Sequence, residues 1–265
     1  MNVLVQNNPT ADVLMVSMRS MGYTFESAVA DIIDNSITAE SNQIKLFFPI
    51  DPSDCYVAIC DNGHGMSKED LIDAMKYGSE NKANERHSKD LGRFGLGLKS
   101  ASLSQCRRLT VASKKDDIIS AFIWDIDVIS ENKGWYMIEC NSEQISQIKQ
   151  ISYLDDLDSG TIVLWEKFDF IKKSSGNVYA ELSKYKDTTE KYLSLIFHRY
   201  LNKGNNEKIS ININNYSLTG LDPFLEDHPK TNIRRKVVIA IEDSNGTERN
   251  ISVQPYILPF QKDLT

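Results

Sequence analysis

A glycine-crowded stretch, Gly92-Arg93-Phe94-Gly95-Leu96-Gly97-Leu98-Lys99-Ser100, runs directly into a segment whose apolar residues Leu98, Ala101 and Leu103 suit a helix. Glycine costs a helix about 1 kcal/mol relative to alanine, so glycines at a helix mouth need a reason that a Cβ would defeat. The first turn of a helix carries unpaired amides and the positive end of the macrodipole. Glycines there let an anion such as a phosphate come close. The stretch nearly matches a P-loop, but one residue separates Gly97 from Lys99 and no strand immediately precedes it. It also fails the dinucleotide fingerprint, because Ser100 stands where the third glycine belongs. What remains is a fold in which one helix opens towards bound phosphate.

Two earlier stretches supply what such a site lacks. In residues 25–39, Phe25, Ala28, Val29, Ile32, Ile33 and Ser36 recur at helical spacing and predict one buried stripe. Asp31 and Asn35 lie one turn apart on another face. A hydrolytic site needs a base beside the attacking water and an oxygen ligand for Mg²⁺; Asp31 suits the first and Asn35 the second. Alone, the segment is more simply a polar helix face. Next, a strand-like run over 55–60 ends in Asp61-Asn62-Gly63-His64-Gly65-Met66. Asp61 can accept the exocyclic amine of adenine, Gly63 and Gly65 let main chain approach a flat base, and Met66 can pack on the ring. An ordinary Asp-Asn-Gly turn is common, but it does not call for a second glycine and a methionine. His64 is read as a solvent-side residue without a catalytic role.

Between the second and third stretches, residues 78–91 are polar and without period, a loop of functional length. Lys82, Arg86 and His87 fall there; each singly is more often a solvated loop residue, and the functional reading has one of them, with Lys82 carried as the candidate, closing on phosphates. Arg93 and Lys99 are better placed, although Lys99 can also point outward. Together the three stretches ask for ATP with Mg²⁺.

The rest of the chain sets bounds. A formal charge of −7 argues against a nucleic-acid surface over the whole module. No apolar run approaches the ~20 residues of a membrane span, and the N-terminus does not read as a signal peptide; the expected location is cytoplasmic. Cys55, Cys60, Cys106 and Cys140 form no Cys-x-x-Cys pair, so free thiols are expected. Helices are expected over 10–18 (Val13, Leu14 and Met18 inward), 71–77 behind a Ser67 cap, 96–105 and 185–201. Strands are expected over 43–50, 55–60, 108–113, 118–129, 135–140, 161–168 and 209–218, with a hairpin across Asn245-Gly246. A composition shift at 171–176 suggests a domain junction, and the chain is expected to continue beyond residue 265.

Glu/Asp-x-x-x-Asn on a helix, then Asp-x-Gly-x-Gly, then a lid and Gly-x-x-Gly-x-Gly, resembles the motif set of the GHKL ATPase superfamily: gyrase B, ninety-kilodalton heat-shock chaperones, sensor histidine kinases and MutL. The glycine segment looks most like the microrchidia (MORC) and chaperone branches. The resemblance implies an α+β, Bergerat-type sandwich, a mixed and mainly antiparallel sheet covered by helices, over 1–170. It implies the start of a transducer-like domain over 171–265. Ser159-Gly160-Thr161 resembles a further family mark, which implies Thr161 as an adenine-side contact. Gly92, Arg93, Phe94, Gly95, Leu96, Gly97, Lys99 and Ser100 are implied around the phosphates. Function by this resemblance is an ATP-driven clamp: the lid closes, an ATP-dependent homodimer forms, slow hydrolysis reopens it, and the load is DNA or a protein client. The family's usual base is glutamate, one bond longer than Asp31, and a shift of ~1 Å can cost about 100-fold in rate. That departure keeps a rival reading open, a nucleotide-sensing scaffold without turnover. Nothing upstream resembles a histidine kinase's phosphoacceptor helix.

Overall fold

Alternating side chains in the strands divide one sheet into two buried faces. The computed structural model describes residues 10–20, 22–76, 97–201, 209–242, 246–260 and 262. In chain order its elements are α1 (Ala11–Met18), α2 (Phe25–Thr38), β1 (Gln43–Phe47), β2 (Val57–Asp61), α3 (Lys68–Met75), α4 (Gly97–Gln105), β3 (Arg108–Lys115), β4 (Ile118–Asp125), α5 (Ile126–Asn132), β5 (Ile138–Glu139) and α6 (Ser142–Ser146). There follow β6 (Gly160–Glu166), α7 (Asp169–Ser175), α8 (Val178–Ile196), α9 (His198–Leu201), β7 (Ser210–Ile213), β8 (Tyr216–Ser217), β9 (Asn232–Ile233), β10 (Val237–Glu242), β11 (Glu248–Val253) and β12 (Tyr256–Ile257).

Eight strands form a sheet in the order β5-β4-β3-β6-β2-β1-β7-β8. The β1–β7 pair is parallel and the other pairs are antiparallel. One face carries Val57 and Ile59 of β2, Leu109 and Val111 of β3, and Val163 and Trp165 of β6. It packs with Ala28, Val29, Ile32 and Ile33 of α2, Leu103 of α4, and Leu182 and Leu193 of α8. The other face carries Ala58, Cys60, Ala112, Ile162 and Leu164 against Leu154, Ile145, Ile148, Ile151 and Leu157. With both faces covered, β2 is buried along its whole length, as a continuous apolar strand should be. This is the mixed, mainly antiparallel sandwich that the sequence led us to expect. The predicted stripe of α2 is buried residue for residue, and its large members, Phe25, Val29, Ile32 and Ile33, contribute roughly 1.5–3 kcal/mol each.

Several local expectations differ. In α1 it is Ala11 and Met15 that are buried, while Val13 is exposed. The strand expected over 118–129 stops at Asp125, whose carboxylate accepts the Asp127 amide at 3.0 Å and caps α5. Of residues 135–140 only Ile138 and Glu139 join the sheet. The helix expected from 185 starts at Val178, because Asn177 caps it by accepting the Ala180 amide at 3.0 Å. Segment 171–176 falls within α7 and its left-handed cap, Gly176.

Residues 1–219 form one compact unit and 220–265 another. Segment 171–219, assigned by sequence to the second domain, therefore packs within the first unit. Tyr185 of α8 stacks on Phe25 of α2 with ring centroids 4.7 Å apart, and β7 extends the sheet beside β1. In the second unit β10 pairs with β11 from Val237↔Val253 to Glu242↔Glu248. That is the expected hairpin, with turn residues 243–245 outside the described residues.

Candidate functional site

The site begins with α2, which Thr24 caps by accepting the Ser27 amide at 3.2 Å. Its apolar stripe is buried in the sandwich, which leaves Asn35 exposed and Asp31 half-buried at the side. The Tyr23 hydroxyl donates to Asp31 Oδ2 at 2.7 Å. Burial, then that bond and the charge of Asp31, push the Tyr23 hydroxyl up to about 12, so it remains a donor throughout the physiological range. A Cβ on Gly97 would lie 3.7 Å from Asp31 Oδ2, which places this carboxylate at the first turn of α4. Asp34 is half-buried, and burial followed by the charge of Asp31 raises its carboxyl to about 6.

One turn further along α2, Ser36 faces the end of β2. Its hydroxyl donates to Asp61 Oδ2 at 2.9 Å, and Asp61 Oδ1 accepts the Gly63 amide at 2.9 Å. Asp61 is only 5% exposed. Burial pushes its carboxyl upward, while the Gly63 amide, the Ser36 hydroxyl, His64 and the Thr161 main chain act in the opposite sense. The turn after it is pinned by Asn62, whose Oδ1 accepts from Ser41 Oγ and from the amides of Asn42 and Gln43. Gly63 and Gly65 have a different reason from the one expected. A Cβ on Gly63 would sit 2.7 Å from the Ala39 carbonyl oxygen. Gly65, at φ +62°, would place one 2.0 Å from that of Lys114. Protein main chain already fills that space, so both glycines serve the turn's own packing. His64 is exposed and its Nδ1 lies 2.8 Å from the Gly65 oxygen.

Thr161 stands opposite Asp61 in the β2–β6 ladder and opposite Ser113 in the β3–β6 ladder. All three side chains therefore line one face of the sheet. Ser113 Oγ accepts the Met66 amide at 2.9 Å and lies 2.9 Å from Thr161 Oγ1.

Lys99 does not take the place expected for it. Its side chain is buried, and the ammonium donates to the carbonyls of Ala74 (2.9 Å) and Lys76 (2.7 Å) at the end of α3. Burial pulls it down to about 8. In this structure it caps a helix, a use of lysine that suits a C-terminal dipole. Ser100 is buried, and its hydroxyl has no hydrogen-bond partner among the described residues. Lys82, Gly92, Arg93, Phe94, Gly95 and Leu96 lie outside the described residues.

The structure thus brings together Asp31 with Gly97, and Asp61 with Gly63, Gly65, Met66 and Thr161, along one side of α2. Sequence reasoning missed Tyr23, Ser36 as a partner of Asp61, and Ser113. Ser113 left a signal: it continues the inward positions of Leu109 and Val111, and a polar residue in such a series needs a partner.

Residues 23–161 match the profile of the histidine kinase-, DNA gyrase B- and HSP90-like ATPases. The chain belongs to this family. GHKL relatives include ATPase morc-1 of Caenorhabditis elegans, 31% identical over 97 residues, which are 37% of this chain and 11% of that protein. DNA mismatch repair protein MutL of Trichormus variabilis is 25% identical over 163 residues, 60% of this chain and 25% of MutL. Chaperone protein HtpG of Helicobacter pylori is 32% identical over 134 residues, 46% of this chain and 20% of HtpG. The chain spans a quarter or less of each of these relatives. Its GHKL match covers Tyr23, the α2 motif, the Asp61 turn, the glycine segment and Thr161. Among the described residues no helix is long and apolar enough to cross a membrane.

Proposed function

We propose that this GHKL module binds ATP with Mg²⁺ and hydrolyses it slowly, using lid closure to drive dimerisation. The observation that carries the reading is the use of α2 at both ends of one elongated site. Ser36 holds the buried carboxylate of Asp61, while Asp31, five residues earlier and so about 7 Å along the axis, meets the start of α4. Asp61 and Thr161 take the adenine, and the first-turn amides of α4 and the Ser100 hydroxyl take phosphate oxygens. The Asn35 amide oxygen would hold Mg²⁺, which suits oxygen donors shared with phosphates; when bound, the ion supplies neutralisation of the phosphoryl oxygens. Asp31, held by Tyr23, orients the attacking water and takes its proton.

The reading extends to a cytoplasmic protein with a transducer-like region C-terminal to the ATP-binding unit and a load of DNA or a protein client. Similarity to a MORC ATPase, a mismatch repair protein and a chaperone supports both kinds of load. A second reading, an ATP-sensing scaffold without turnover, is favoured by the short Asp31 side chain. Phosphate release from Asp31→Asn separates them. Turnover lost with ATP binding retained supports the proposal; an unchanged rate removes Asp31 from catalysis. Asp61→Asn should weaken ATP binding by about 10- to 100-fold in titration calorimetry, since a charged acceptor is lost.

A further inference from the structure

Ser113 sits beneath Thr161 with three polar neighbours in hydrogen-bond range. The Met66 amide is 2.9 Å from its Oγ, the Gly160 carbonyl oxygen 3.0 Å, and Thr161 Oγ1 2.9 Å. Ser113 is fully buried, so these contacts account for its hydroxyl. A serine hydroxyl has one proton and two lone pairs. An amide only donates and a carbonyl only accepts, hence the proton goes to Gly160 and one lone pair takes Met66. The remaining lone pair faces Thr161, and the contact is satisfied only if Thr161 donates its own proton to Ser113. With the opposite choice, Ser113 would present a lone pair to the Gly160 oxygen, a buried repulsion. Thr161 Oγ1 is thereby left with lone pairs alone for a ligand. Asp61 is its direct neighbour across the β2–β6 ladder, and its carboxylate also offers only lone pairs.

We infer that Ser113 is a specificity-determining residue which fixes Thr161 as an acceptor, so that the Asp61–Thr161 pair selects 6-aminopurine over 6-oxopurine nucleotides. The inference rests on the nucleotide-binding reading and deepens it. An exocyclic amine brings two N–H donors to two acceptors. A 6-oxo group brings a third acceptor, and leaving buried polar groups unpaired is what makes such sites discriminate strongly. Ser113 touches no ligand; it acts through the orientation of one hydroxyl proton.

Titration calorimetry of the whole chain with non-hydrolysable ATP and inosine triphosphate analogues tests this, because the two bases differ at position 6 and in the proton on N1. The wild-type chain should prefer the ATP analogue by about 100-fold or more. In Ser113→Ala the Thr161 proton is released to turn towards an oxo group, and the preference should shrink by about tenfold. Thr161→Val, isosteric and without an acceptor, should shrink it similarly by weakening ATP; it carries the test should Ser113→Ala fail to melt cooperatively. A wild-type preference retained in full by either folded variant overturns the inference, as does a wild-type chain that binds both analogues equally. Binding of neither analogue to the wild type sinks the nucleotide reading, and the inference with it.

Discussion

The carboxylates of α2 show how little separates a structural acid from a reactive one. Asp31 and Asp34 lie three residues apart on one helix, and their charges oppose each other. Asp31 has the Tyr23 hydroxyl as donor, whereas the burial of Asp34 favours its neutral form. The folded carboxyl of Asp34 titrates at about 6 against an ordinary 3.8. A raised pKa means that its contribution to stability is fully present below about pH 4 and is lost as pH rises through 6. Asp34→Asn removes that dependence. The variant should melt at a higher temperature than wild type above pH 6, by about 1 kcal/mol after discounting for partial exposure, with the difference fading below pH 4. Melting curves between pH 4 and 8 check this, and a difference that stays constant with pH would remove the titration argument. Of these residues the sequence disclosed Asp31 through its spacing from Asn35, but the environment that perturbs Asp34 comes from packing and carries no local signature.

Among the elements, legibility followed the source of the signal. α2 was readable because six residues keep one period and all six are buried. β4 was misjudged because Asp125 and Asp127 look like polar breaks in a strand, whereas Asp125 in fact starts a helix. The capping box of α3, formed by Ser67 and Asp70, was legible since both partners lie within four residues. Lys99 was not, because its partners are carbonyls on another helix. Its ammonium ties α4 to the end of α3, and it is held there in an environment that disfavours charge. Lys99→Met should therefore lower stability by about 1–3 kcal/mol, leaving two carbonyls without their donor, while ATP affinity changes less than about threefold. A loss of affinity with unchanged melting would restore Lys99 to the phosphate.

At the scale of the molecule, the question is where the folding unit ends. The composition shift at 171–176 marked a junction, yet the physical contacts run past it. Tyr185 stacks on Phe25 at 4.7 Å, Phe25 meets Trp165 edge-on at 5.6 Å, and Glu26 bonds Thr188. β7 then pairs with β1, and Asn214 Oδ1 accepts the Phe48 amide at 2.8 Å. Removing everything after residue 176 would uncover Phe25 and the α8-facing side of α2, and leave β1 as a bare sheet edge. Because α2 carries Asp31, Asn35 and the Ser36 contact to Asp61, loosening its buried face loosens the site as well. A fragment ending at residue 219 should melt in one cooperative transition and keep nucleotide binding. One ending at 176 should lose cooperativity and bind a hydrophobic dye. Far- and near-ultraviolet circular dichroism on the two fragments decides it. A cooperative, dye-silent melt of the shorter fragment at the same temperature would mean that the α8–β7 layer only decorates a unit complete without it, and that α2 owes its position to the sheet alone.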